Sequence, residues 1–251
     1  MADTKIEWAD KTWNPVTGCW PLSDGCTNCY ASRQIRSGRT PAVHGSKDFE
    51  KVTFHPSRLD QPLRWRKPQR IFVCSMGDLF HEDVKEEWIV DAFRVMEACH
   101  RHTFMVLTKR SKRMRQFVNA AVEHCGRHPG ENIWFGVSAE NSRTMFERVD
   151  DLMQMWAAKR FISFEPLLEP VSIKSWTHKV YPSGKPMLDW IIVGSESGPH
   201  RRPCNIGWIR SLRDQCAAAG TPIFIKQADI NGKLVKMPKI DGRVWDQIPE
   251  E

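Results

Sequence analysis

The chain has 251 residues, of which 41% are hydrophobic and 27% are charged, and its formal net charge is +7. This composition is typical of globular proteins and argues against disordered and fibrous classes. The sequence contains no apolar run long enough to cross a membrane, and residues 1–13 lack the basic patch and apolar run of a signal peptide. We therefore expect a cytoplasmic protein that has no contact with a membrane.

The first informative segment is NPVTGCWPLSDGCTNCYA, at residues 14–31. It contains three closely spaced cysteines: Cys19, Cys26 and Cys29. Their thiolates can surround one metal centre, because Gly18 and Gly25 let the backbone turn tightly. Structural zinc normally takes four protein ligands and would need one more, such as His44, Cys74 or His81. A 4Fe–4S cluster on three cysteines instead leaves one iron open for a substrate or cofactor, so the spacing alone allows both kinds of site.

The remaining cysteines occur singly in apolar or helical contexts. Because the chain has no secretion signal, a framework of disulfides is not expected. We predict that these five are buried as small hydrophobic side chains: Cys74, Cys99, Cys125, Cys204 and Cys216.

From residue 71 onward, short apolar runs alternate with amphipathic helical patterns. The runs are 71–75, 103–108, 132–138, 160–164, 190–194 and 222–226. Their content of Ile, Val and Phe is typical of buried parallel strands. With the cysteine segment as a first unit there are about seven strands, near the eight of a complete barrel. We predict a single α/β domain over residues 1–251, a partial or near-complete (β/α) TIM-like barrel with mostly parallel strands.

Two regions fall outside this repeating pattern. Residues 174–188 are predicted to be a surface insertion, and residues 233–251 a polar C-terminal tail packed by Trp245.

Polar residues follow almost every apolar run. In parallel α/β folds, ligands bind at the carboxyl ends of the strands, in sites built from these loops. Loops need polar residues in any case, so a single such loop carries little weight. Their recurrence at equivalent places predicts one polar funnel, formed by Asp78, Lys109, Ser138, Glu140, Glu165, Glu196, Lys226 and Gln227.

Basic residues are concentrated in three clusters. Any one of them is explained by a solvated helix face or loop, but three clusters and the net charge together favour a nucleic acid or nucleotide as substrate. The first cluster is Arg58, Arg64, Arg66, Lys67 and Arg70; the second is Lys109, Arg110, Lys112, Arg113 and Arg115; the third is Arg201, Arg202, Arg210 and Arg213.

The segment NPVTGC-x6-CTNCYA resembles the cluster loop of radical S-adenosylmethionine (SAM) enzymes, especially spore photoproduct lyase and its relatives. Their loop is typically a shorter Cys-x3-Cys-x2-Cys followed by an aromatic residue, the position that Tyr30 takes here. Over most of its length the chain more closely resembles a phage-associated three-cysteine-motif family whose biochemical role is unassigned. Further matching stretches include SMGDLFHEDV, HTFMVLTKR, GVSAEN, RFISFEPLL and WIIVGSESG.

The resemblance implies a role for several positions. Cys19, Cys26 and Cys29 would hold the 4Fe–4S cluster and carry catalysis, and Tyr30 would contact the SAM adenine. The backbone at Ser75 and Gly77 would meet the methionine amino group, and Lys109 in Leu-Thr-Lys would face the SAM carboxylate. Ser138 and Glu140 would hold the ribose hydroxyls. The remaining candidate cofactor contacts are Asp78, Glu165 and Glu196.

The resulting hypothesis is a radical SAM enzyme that cleaves SAM reductively and generates a deoxyadenosyl radical. Its substrate would be a nucleic acid or nucleotide, in repair or modification, and a flavodoxin- or ferredoxin-like protein would donate the electron. One alternative is a zinc-stabilised nucleic-acid-binding module without catalysis. Another is an iron–sulfur protein that senses redox state or serves a partner protein.

Overall fold

The computed structural model describes residues 4, 6–38, 45–177 and 187–250. The strands are β1 (Lys11–Trp13), β2 (Val16–Thr17), β3 (Thr53–Phe54), β4 (Arg70–Val73), β5 (Thr103–Thr108), β6 (Ile133–Ser138), β7 (Lys159–Phe164), β8 (Trp190–Gly194), β9 (Ile223–Ile230), β10 (Lys233–Lys236), β11 (Lys239–Ile240) and β12 (Arg243–Val244). The α-helices are α1 (Tyr30–Arg36), α2 (Glu86–Ala98), α3 (Ser111–Cys125), α4 (Ser142–Met153), α5 (Lys174–Thr177) and α6 (Ile206–Ala219). Short 3-10 turns lie at Asp24–Cys26, Pro56–Arg58 and Pro62–Arg64.

Eight of the described strands form one sheet, in the order β1-β4-β5-β6-β7-β8-β9-β10. The pairs from β1 to β9 are parallel, and β10 lies antiparallel beside β9. The sheet is a curled half-barrel flanked by helices. The prediction of an α/β fold with mostly parallel strands is confirmed. The eighth strand comes from the tail and runs the other way, so it extends the sheet at its edge.

The two faces of the sheet carry different side chains because alternate residues of a strand point to opposite faces. The outer face packs against the helices through aliphatic residues such as Ile71, Val106 and Ile162. The inner face carries a second buried cluster dominated by aromatic rings: Trp8, Phe72, Met105, Trp134, Phe161, Trp190, Ile192 and Phe224. This aromatic layer fills the half-barrel below the carboxyl ends of its strands, and polar groups lie at those ends.

The helices bury the apolar stripes that the sequence indicates. In α2 the buried positions include Ala92 and Met96, and in α6 they include Ile209 and Leu212. Four of the five single cysteines are buried as predicted. The prediction is wrong for Cys125, which is exposed because it lies in the last turn of α3, away from the sheet. None of the described helices is both long and apolar enough to cross a membrane.

The C-terminal segment packs back onto the sheet. The Ile225 amide donates to the Trp245 carbonyl at 2.7 Å, and the indole N–H of Trp190 donates to the Gln247 carbonyl at 2.8 Å. Trp245 is half-buried against the outer core, where the sequence predicts it. The segment predicted as an insertion begins with α5, in which Trp176 is buried, and its residues 178–186 lie outside the described part.

Candidate active site

The cysteine loop, residues 18–30, lies across the carboxyl ends of the strands. Its three cysteines line one cavity of about 250 Å³. Cys26 ends a 3-10 turn, Cys29 immediately precedes α1, and all three thiols are free and half-buried. The three cysteines therefore line one shared cavity.

Backbone contacts fix the first turn of the loop. The Gly18 amide donates to the Met76 carbonyl at 2.9 Å, and Gly18 and Gly77 form a parallel bridge. Gly18 has φ of +93°, and a Cβ there would lie 2.4 Å from the Lys51 carbonyl oxygen. Only glycine satisfies both conditions. The Cys19 amide then donates to the Phe49 carbonyl at 2.9 Å, which directs its side chain into the cavity.

Cys19 contacts a buried ion pair. The Arg110 guanidinium donates through Nη1 to Cys19 Sγ at 3.4 Å and to Asp78 Oδ2 at 3.3 Å. Asp78 also accepts from the Thr108 hydroxyl at 2.7 Å and the Phe80 amide at 2.9 Å. Burial and the Asp78 charge raise the pKa of Cys19 to about 12, although Arg110 opposes them. Asp78 therefore positions Arg110, which in turn supplies positive charge beside the sulfur.

Cys26 lies in a different electrostatic environment. Burial alone would raise its pKa, but the Lys109 charge and backbone hydrogen bonds from Leu22 and Ser23 outweigh burial, and the pKa is below its usual value. A lowered pKa favours the thiolate, which is the form that binds metals. The predicted residue Lys109 thus lies close enough to the loop to act on one of its sulfurs.

Glu140 supports the middle of the loop. It is 1% exposed and pairs through Oε2 with Arg148 at 3.0 Å. A Cβ on Gly25 would lie 3.0 Å from the same oxygen, so the loop backbone packs directly on the carboxylate. The other oxygen, Oε1, is buried and has no hydrogen-bond partner among the described residues. Ser138, which precedes it on β6, is also buried and accepts from Arg148 Nη1 through its carbonyl at 2.7 Å.

Glu196 holds the end of the loop that carries Cys29. Its Oε2 accepts from the Asn28 side-chain amide at 2.9 Å and from the Arg202 backbone amide at 2.8 Å. The Arg202 guanidinium also donates to the Asp24 carbonyl at 2.8 Å. Two loop residues are thereby tied to the segment after β8, and Glu196 serves the loop as its buried anchor.

Tyr30 joins the loop to the end of β4. Its hydroxyl donates to the Ser75 carbonyl, and its ring packs with Met76 beside Cys29. The Met76 amide donates to Asn14 Oδ1 at 2.9 Å, so this stretch is also held by the residue that opens the NPVTGC motif. The predicted positions Tyr30, Ser75 and Gly77 therefore lie together at the base of the cysteine loop.

Glu165 lies on the inner face of the half-barrel. Its Oε1 pairs with Lys226 Nζ at 2.7 Å, and its Oε2 accepts from the Trp8 indole at 3.3 Å and the Ser163 hydroxyl at 3.0 Å. Burial, then the Cys29 and Glu165 charges, raise the pKa of Tyr30, which places Glu165 in the electrostatic reach of the loop. Gln227 donates a hydrogen bond from its side-chain amide to the Ser195 carbonyl.

Most arginines of the three basic clusters have acidic partners within the protein. Arg70 pairs with Asp10, Arg64 with Asp60 and Arg115 with Asp151. The third cluster is used in the same way: Arg201 pairs with Asp229, Arg202 with Glu196, and Arg210 and Arg213 with Asp241. The sequence shows the charge of these residues but not the acidic partner that each one meets in the fold.

The described side chains do not form a site for a single metal ion. In the described part of the chain, no group of three or more His, Cys, Asp or Glu side chains is arranged to hold one metal ion. Of the three possible fourth zinc ligands, Cys74 lies in the outer core and His81 packs against the Trp20 ring at 3.9 Å, while His44 lies outside the described residues. A cavity of about 250 Å³ lined by three cysteines has room for a polyatomic cluster.

Three residues of the site have roles that the sequence does not reveal. Arg110 and Arg202 belong to basic clusters, and the sequence gives no sign that both lie against the cysteine loop. Asn28 donates to Glu196. The sequence shows only that Asn28 lies between Cys26 and Cys29, and does not show this contact.

Together the fold and the site define an α/β half-barrel that presents a three-cysteine loop at the carboxyl ends of its strands. The chain belongs to the DUF5131 family, described as a protein of unknown function, which it matches over residues 3–249. No curated protein and no solved structure matches it.

Proposed function

We propose that this protein is a radical SAM iron–sulfur enzyme with a nucleic acid or nucleotide as substrate. The observation that carries the proposal is the single cavity lined by Cys19, Cys26 and Cys29, above the carboxyl ends of a half-barrel sheet. A partial TIM-like barrel with its ligands at this end is the architecture that the resemblance implies. When bound, a 4Fe–4S cluster and SAM supply the one-electron cleavage of the sulfonium bond.

The protein's own residues stabilise charge around the cysteines. Three thiolates and an inorganic cluster form an anionic group, and Arg110 and Lys109 place positive charge beside Cys19 and Cys26. Because Arg110 is 6% exposed, its attraction to a thiolate is little screened by water. The cations oppose the effect of burial at both thiols, and the pKa is lowered at Cys26 but remains raised at Cys19.

In this proposal, SAM binds to residues that surround the cysteine loop and lie outside the lining of the cysteine cavity. Lys109 can pair with the methionine carboxylate, and the backbone of Ser75 and Gly77 lies at the start of the loop, where it can meet the amino group. The unpartnered Glu140 Oε1 is a buried acceptor that suits a ribose hydroxyl, since such an acceptor is costly to leave unsatisfied. Tyr30, beside Cys29, would contact the adenine, and Glu165, on the inner face of the half-barrel, is a further candidate contact.

The metal content tests this assignment. The protein is purified and reconstituted without oxygen, and iron, sulfide and zinc are measured together with the visible absorption spectrum. We expect a brown protein with about four irons per chain. Cys26→Ala should lose most of the iron, whereas Cys125→Ala should keep it because Cys125 is exposed at the far end of α3. A colourless wild-type protein that carries one zinc per chain would refute the proposal.

A further inference from the structure

A groove of about 650 Å³ lies beside the cysteine loop. One wall comes from the start of α3 and contains Lys112, and the other comes from the start of α4 and contains Arg143. Leu22 and Ser23 of the cysteine loop form its edge, so the groove and the cysteine cavity share one loop. A ligand in the groove would therefore lie next to the candidate active site.

The groove is strongly basic. Six basic and three acidic side chains line it. Two of the acids and two of the bases have ion-pair partners, because Glu82 pairs with Arg110, Asp151 with Arg115, and Arg148 with Glu140. Lys112 and Arg143, in contrast, form no salt bridge within the described residues and remain available to an anion. Lys112 and Arg143 thus differ from the arginines of the basic clusters, most of which form ion pairs.

Two independent features direct positive potential into the groove. The helix α3 begins there, and the N-terminal end of a helix attracts anions, whereas the start of α4 is already capped by the Asn141 side chain and the Glu169 carboxylate. Arg110, which also lines the groove, is 6% exposed, and its Nη2 has no hydrogen-bond partner among the described residues. A buried guanidinium nitrogen without an acceptor is unusual and suits an anionic oxygen supplied by a ligand.

The lining chemistry indicates phosphates and not bases. The groove walls contain no aromatic ring among the described residues, so they offer no platform on which a base could stack. We propose that the groove binds the phosphate backbone of a nucleic-acid strand and brings one of its nucleotides to the cysteine loop. The proposal that a strand binds here depends only on the groove. The role of the groove in delivering substrate rests on the proposed function.

The proposal is tested by fluorescence anisotropy with a labelled single-stranded oligonucleotide at several salt concentrations, using the metal-free protein. The slope of log K against log salt reports the number of phosphate contacts. The Lys112→Ala/Arg143→Ala variant should reduce this slope by about 1.4, since each phosphate contact on a single strand contributes about 0.7. Arg66→Ala/Lys67→Ala removes the same charge from exposed positions that precede β4, at the opposite end of the sheet, and should leave the slope unchanged.

Three outcomes would overturn the proposal. They are an unchanged slope in the groove variant, an equal loss in both variants, and full displacement of the oligonucleotide by a mononucleotide at equal concentration, which would indicate a site for a free nucleotide. Because the assay needs no cluster, Cys26→Ala should bind the oligonucleotide like the wild type. Failure of strand binding is thereby separated from failure of the radical chemistry.

Discussion

Glu196 connects the cysteine loop to the segment after β8 through one buried carboxylate. It receives hydrogen bonds from Asn28 in the cysteine loop and from the backbone and side chain of Arg202, and it is 5% exposed. Burial alone would raise its pKa, but these hydrogen bonds outweigh burial and hold the pKa below the usual value. The folded protein therefore binds a proton at this carboxylate less readily than the unfolded chain does.

This shift predicts a pH-dependent contribution of Glu196 to stability. A carboxyl with a lowered pKa stabilises the fold at pH values above its unfolded pKa, and the effect is lost as the pH falls through the folded pKa. Glu196→Gln should therefore reduce the free energy of unfolding by about 1–3 kcal/mol at pH 7. The difference from the wild type should shrink as the pH is lowered below about 4.5, the usual glutamate value. Urea unfolding at pH 7 and at pH 3.5 measures both quantities.

Glu50 provides a matched control. It pairs with Arg36 on the surface, where both side chains are more than half exposed. Exposed ion pairs contribute about 0–1 kcal/mol, so Glu50→Gln should change stability little at either pH. A Glu196→Gln effect that stays constant between pH 7 and pH 3.5 would show that the carboxylate charge does not stabilise the loop.

At the level of elements, the packing between strands β6 and β7 requires a glycine at position 136. Gly136 lies opposite Phe161 in the sheet, and a Cβ on Gly136 would lie 2.4 Å from the Phe161 ring. The ring belongs to the aromatic layer of the inner face and is 1% exposed. The Phe161 ring therefore occupies the space that a side chain at position 136 would fill.

Overpacking at this position should destabilise the protein. Gly136→Ala is expected to lower the free energy of unfolding by about 1–3 kcal/mol, because neither the backbone nor the buried ring can move freely. Phe161→Leu in the same chain should recover part of that loss, since the smaller side chain leaves room for the methyl group. Thermal unfolding of the two single variants and the double variant measures the coupling. Strict additivity of the two changes would contradict the packing argument.

The central strands could be predicted because each is a short apolar run with polar ends. The observed bounds of β5 and β8 are those predicted, and β6 and β7 differ from the prediction by one residue at their starts. The antiparallel strand β10 was missed because Lys233–Lys236 is a polar edge strand without an apolar pattern. A signal was present, however. Asn231 and Gly232 both have positive φ, and an Asn-Gly pair is typical of a two-residue hairpin turn.

For the whole molecule, the position of the site was more predictable than the role of each residue. Parallel strands end at one edge of a sheet, so the strand-end residues were expected to meet, and Asp78, Glu140 and Glu196 do lie against the cysteine loop. The arginine that pairs with each could not be predicted, because Arg110 is distant in sequence from Asp78, and no helical or strand spacing links Glu140 to Arg148 or Glu196 to Arg202. The net charge likewise does not show which basic side chains are unpaired, since most of the arginines form ion pairs within the protein.

Reductive cleavage of SAM is the most direct test of the account. The reconstituted protein is reduced with dithionite without oxygen, SAM is added, and deoxyadenosine is measured by chromatography. We predict that deoxyadenosine forms with the wild type and with Cys125→Ala but not with Cys26→Ala. Failure of a wild-type protein that carries its full complement of iron and sulfide to form deoxyadenosine would contradict the radical SAM assignment.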